Sequence, residues 1–100
     1  MREKGKNGNF ACPCCGYATL GEEGGYEICV LCFWEDDGQD DPKADENWGG
    51  PNSVSLTEAR INFLQFGAST PRRKMNTRKP NEKDEVIRKF KIENGLVIRS

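Results

Sequence analysis

The chain has 100 residues, a formal net charge of −1, 31% charged and 35% hydrophobic residues, and five cysteines but no histidine. That composition fits one small domain with little apolar material for a core, which commonly needs a metal, a disulfide or a partner as a staple. It excludes a membrane-spanning segment, since no run approaches roughly 20 apolar residues, and any Ser-His-Asp or Cys-His site built within the chain.

Near-neutrality hides a segregated pattern. Residues 1–20 carry a charge of +2, residues 21–50 carry −9, residues 51–70 balance, and residues 71–100 carry +6. Residues 1–9 are basic without the apolar stretch of a secretory signal, and are expected to be flexible. An odd number of cysteines packed into residues 12–32 argues against a disulfide scaffold and for a reduced, cytoplasmic metal site.

Cys12-Pro-Cys-Cys15 and Cys29-Val-Leu-Cys32 each form a C-x-x-C pair, with thirteen residues between them. Tyr17–Leu20 and Tyr26–Ile28 use β-favouring residues and flank the Gly-rich link 21–25, which predicts an antiparallel hairpin between the two pairs. Two such pairs on a short hairpin have the spacing of a four-cysteine zinc ribbon. A tight turn from residue i to i+3 can aim two thiolates at one tetrahedral ion, with sulfurs about 3.8 Å apart for Zn–S bonds of about 2.3 Å. Gly16 suits the left-handed exit of the first turn, and Phe33 matches that position less well. The expected ligands are Cys12, Cys15, Cys29 and Cys32 around one Zn2+. A rubredoxin-like iron centre, a redox dithiol and disulfides are the alternatives. Cys14 is read as a spectator within the first turn. A closed four-thiolate set leaves no open position for substrate, which points to a structural rather than catalytic ion.

Phe33-Trp34-Glu35-Asp36-Asp37-Gly38-Gln39-Asp40-Asp41-Pro42 follows the last ligand. Its aromatics read as packing. Its carboxylates read as a solvated loop, a surface for a basic partner, a hard-cation site, or charge neutralised by the basic C-terminal third. The candidate interaction surface is Trp34, Glu35, Asp36, Asp37, Asp40 and Asp41, with Trp48 as a further anchor. Ser55-Leu-Thr-Glu58 is a capping box opening a helix over about 56–66, with Leu56, Ala59, Phe63 and Phe66 on one face. Gly67 and Pro71 terminate it.

Residues 71–80 are basic and could meet phosphates as a nucleic-acid-binding ribbon, though a solvated linker suits their composition better. Beyond Pro80, a helix over about 82–91 and a hairpin about Asn94-Gly95 compete. The helix followed by a short extended end is the expectation.

These motifs are recognisable together. Phe10–Tyr17, Gly25–Cys29, Cys32–Pro42 and Asn47–Arg60 closely resemble the bacterial cysteine-rich CPCC family, over about residues 10–70. Val30 departs from the Pro common in the family's second turn. The resemblance implies a cysteine-rich, metal-binding protein without a settled function. The fold expected is a small α+β metal-stabilised domain: a zinc-ribbon-like hairpin with two Cys knuckles, an acidic loop and one or two helices. It spans residues 10–70, and residues 71–100 form a basic, partly helical extension. The expected role is a non-enzymatic module for a protein partner, with a basic protein as the candidate that the acidic loop suggests.

Overall fold

The computed structural model describes residues 2–99. Strand β1 (Phe10–Ala11) pairs antiparallel with β2 (Ala18–Leu20) across the first cysteine turn. The second cysteine turn is closed in the same way by an isolated bridge between Ile28 and Glu35. Each pair of cysteines therefore sits at the tip of its own small hairpin. The predicted hairpin joining 17–20 to 26–28 is not what forms. Closing a loop of a few residues costs less entropy than closing one across the link, and the backbone hydrogen bonds follow that preference.

The two tips are near copies. The amide of Gly16 donates to the carbonyl of Cys12 (2.8 Å) and that of Phe33 to the carbonyl of Cys29 (2.9 Å). The Cys12 amide donates in return to the Tyr17 carbonyl (2.8 Å), and the Cys29 amide to that of Trp34 (2.9 Å). Both exits are left-handed, with φ of 83° at Gly16 and 68° at Phe33. The aromatic thus adopts the conformation that the first turn assigns to glycine.

Helix α1 (Leu56–Phe66) forms where the capping box predicts. Ser55 Oγ accepts from the Glu58 amide at 3.1 Å, and Gly67, at φ 84°, ends the helix by donating to Phe63. Leu56 and Ala59 are buried, and Phe63 packs partly against the core. Phe66 is exposed, and Arg60 is buried beside Leu56 and Ala59. Five of the eleven buried members of the central cluster are cysteines; the others are Leu20, Leu31, Trp34, Ala44, Leu56 and Ala59. The sulfur centre and the core are one object.

After a six-residue 3-10 helix (Pro71–Asn76), the chain passes through a turn at 82–83 and continues to strands β3 (Phe90–Glu93) and β4 (Leu96–Arg99). They pair in register about Asn94-Gly95, both at positive φ, as a two-residue hairpin turn requires. The predicted helix over 82–91 is absent. A ten-residue helix is marginal alone, whereas the extended chain bonds to the first cysteine turn: Val86 bridges Tyr17, and the amides of Ile87 and Arg88 both donate to the Gly16 carbonyl. The N-terminal segment, expected to be flexible, is likewise tied in. Lys4 bridges Phe10, the Ala11 amide donates to Glu3, and Arg2 is buried. No helix among the described residues is long and apolar enough to cross a membrane.

Gly16 is the joint between the first turn and the tail. A Cβ there would overlap the Arg88 carbonyl, while one at Gly38, also at positive φ, would meet open space. Gly38→Ala is expected to cost only the left-handed penalty of about 1–2 kcal/mol, and Gly16→Ala clearly more, as read by urea denaturation.

Candidate metal centre

The two hairpin tips face each other and bring Cys12, Cys15, Cys29 and Cys32 together, all buried, with their Sγ atoms within 4.8 Å of one another. The closest approaches cross between the tips: Cys12 to Cys32 at 3.6 Å and Cys15 to Cys29 at 3.7 Å. Four ligands at about 2.3 Å from a central ion span tetrahedral edges of about 3.8 Å, which these two distances approach, so the four cysteines could hold a metal ion. All five cysteines are free thiols, and Cys14 is buried nearby but outside the group of four.

The surroundings favour charge at one corner. Cys29 accepts hydrogen bonds from Cys12, Cys15 and Cys32 and from Thr19 Oγ1 at 3.1 Å, which hold its thiol well below the ordinary range. The Leu31 amide also faces Cys29 Sγ, at 3.4 Å. Burial pushes Cys12, Cys15 and Cys32 up. Negative charge on the cluster is thus favoured at Cys29, and a bound cation would stabilise it further.

The acidic loop follows the second cysteine turn, and three of its carboxylates pair with arginines. Asp36 is 0% exposed and pairs with Arg2 Nη1 at 2.6 Å. Asp40 takes Arg2 Nε at 3.1 Å and Arg88 Nη1 at 2.7 Å. Asp41 takes Arg60 Nη1 at 3.0 Å. Arg60 Nε also donates to the Pro13 carbonyl inside the first cysteine turn (2.8 Å), and its guanidinium lies 4.4 Å from the Phe90 ring centre. One side chain thus joins helix, cysteine turn, acidic loop and C-terminal hairpin.

Among the predicted surface residues, Trp34 and Asp36 are corrected: both are wholly buried and present no surface. Trp34 fills the core, and its Nε1 has no hydrogen-bond partner among the described residues. Glu35, Asp37 and Asp40 are half-buried, and Asp41 is exposed although paired. Trp48 is 46% exposed, its indole N–H donating to Glu46 at 3.0 Å. The sequence reading missed Arg2, Arg60 and Arg88, all buried. Arg60 alone was signalled, falling four residues after Leu56 on the buried stripe.

A small α+β chain whose core is four convergent thiols is the class of protein that this site defines. The model of the family described as Cysteine-rich CPCC matches residues 10–84, and the chain belongs to that family. The match runs past the 10–70 suggested by the motifs and stops before Arg88 and the C-terminal hairpin. Searches of curated proteins and of solved structures find no match.

Burial disfavours ionisation of Asp40, but bonds from Arg88 and the Asp41 amide, with the charges of Arg88 and Arg2, overcome it and hold its carboxyl at about 2. In an unfolded chain it would titrate near 3.9. Its contribution to stability is thus present above about pH 4 and lost as pH falls through about 2. The stability gap between wild type and Asp40→Asn is expected to be roughly 1–2 kcal/mol at neutral pH, allowing for screening at a half-buried site. It should close towards pH 2 in denaturation curves measured at matched pH.

Proposed function

We propose that this protein is a small zinc-binding module in which one structural Zn2+, held by Cys12, Cys15, Cys29 and Cys32, organises a surface for docking a protein partner. The observation that carries the reading is the closure of four buried sulfurs to tetrahedral spacing between two matched turns. Such an ion contributes on the order of 10–16 kcal/mol of apparent binding free energy in small peptides. That outweighs the roughly 3–5 kcal/mol that a core this small leaves over. Four protein thiolates complete the coordination of zinc, so the ion supplies folding energy and no Lewis-acid site. That is the ground for assigning no enzymatic role. The free thiols suit a reducing compartment such as the cytoplasm.

The same sulfurs would accept iron, which imparts visible absorbance and a redox couple. Zinc is favoured because four-thiolate pairs of this spacing are its common structural site.

Purified protein is expected to contain about one zinc per chain by elemental analysis. Chelation should collapse the native amide dispersion of residues 10–34. Cys29→Ser should behave as the chelated protein does, while Cys14→Ser should keep its metal. Loss of metal from Cys14→Ser to the same degree would overturn the ligand assignment. A coloured, redox-active preparation would replace zinc by iron.

A further inference from the structure

Three carboxylates of the acidic loop, Asp36, Asp40 and Asp41, are paired with arginines, whereas the basic 3-10 helix keeps its charge free for a partner. The 3-10 helix Pro71–Asn76 is exposed throughout. No ion pair among the described residues engages its Arg72, Arg73 or Lys74. Between this helix and the second cysteine turn lies a cleft of about 190 Å³. Its apolar wall includes Ile28, Phe33 and Val54, and its basic wall Arg72 and Arg73. One carboxylate, Glu35, also lines it, leaving a net positive rim. The volume is below the roughly 300–1,000 Å³ of small-molecule sites and suits one or two side chains of a peptide.

Phe33 gives a reason to see this cleft as built. It stands where the first turn uses Gly16, in a left-handed conformation that is unfavourable for a non-glycine residue. Its ring is only half-buried, with the Arg73 guanidinium 4.8 Å from the ring centre. A strained residue displaying an aromatic ring in a cleft is a cost that stability alone does not explain. Ile28 at 42% and Val30 at 55% exposure continue the apolar surface along the same hairpin. The cleft is also coupled to the sulfur centre: the Ser69 amide, on its wall, donates to the carbonyl of Cys32 at 2.6 Å.

We infer that this cleft docks an acidic peptide segment of a partner protein, one apolar side chain resting on Ile28, Phe33 and Val54 and a neighbouring carboxylate pairing with Arg72 and Arg73. This rests on the docking-module reading above, and reverses the sign of partner that the acidic loop suggested. Charge complementarity selects the partner and the apolar anchor adds affinity.

The test is an amide chemical-shift titration of the zinc-loaded 100-residue chain. The probe is an end-blocked hexapeptide of four glutamates around a central Leu-Phe pair. Saturable shifts clustered at Ile28, Phe33, Val54 and Arg72–Arg73 are expected, weakening with salt. The paired change Arg72→Glu and Arg73→Glu should weaken binding by about tenfold or more without loss of zinc, and Lys83→Glu should leave it unchanged. Phe33→Gly, which relieves the backbone, should hold or raise stability yet weaken binding, and it decides the matter if the charge-reversed protein does not fold. Equal binding of the same peptide with lysines for glutamates, shifts elsewhere, or no saturation would overturn the inference. Tighter occupation of the cleft by a single-stranded oligonucleotide would do so too, assigning it to nucleic acid. Absence of zinc from the protein as isolated would count against the metal reading alone, since the titration still decides the cleft.

Discussion

Four sulfurs meeting at one point is the constraint on which the rest of this structure depends. Two short hairpins, each too small to enclose a core alone, face each other through their tips. Cys12 and Cys15 stand on one tip and Cys29 and Cys32 on the other. Leu20, Leu31, Trp34, Leu56 and Ala59 then pack around the sulfurs. The apolar core is a sheath for the thiol cluster, which is why a chain with only 35% hydrophobic residues can fold around it.

A second layer is electrostatic. Arg2, Arg60 and Arg88 come from the N-terminal segment, the helix and the C-terminal segment, and they converge on Asp36, Asp40 and Asp41. Buried ion pairs return little net stability over apolar packing, but leaving one member unpaired is costly. Their effect here is to fix where the acidic loop and both chain ends lie. The basic 3-10 helix beside the second cysteine turn enters no such pair among the described residues.

The convergence of Cys12, Cys15, Cys29 and Cys32, the helix and its caps were legible in the sequence because each depends on local spacing. A C-x-x-C turn, a Ser-x-x-Glu box and a terminal glycine act over three or four residues. What the sequence hid depends on distant partners. The hairpin partner of Ala18–Leu20 is the strand before its own turn. The segment 82–91 gives up helix because the Gly16 carbonyl and Tyr17 offer it bonds that local propensity cannot anticipate. The fate of Asp36 turned on Arg2, 34 residues away, and no periodicity reports such a pair. Phe33 shows the limit from the other side: the position was recognised as the turn's exit, yet nothing local revealed that an aromatic would accept a left-handed backbone there.

X-ray absorption at the metal edge of the protein as isolated tests the central claim most directly. The expected result is a zinc edge with a single shell of four sulfurs at about 2.3 Å. A first shell containing oxygen or nitrogen, or fewer than four sulfurs, would contradict it.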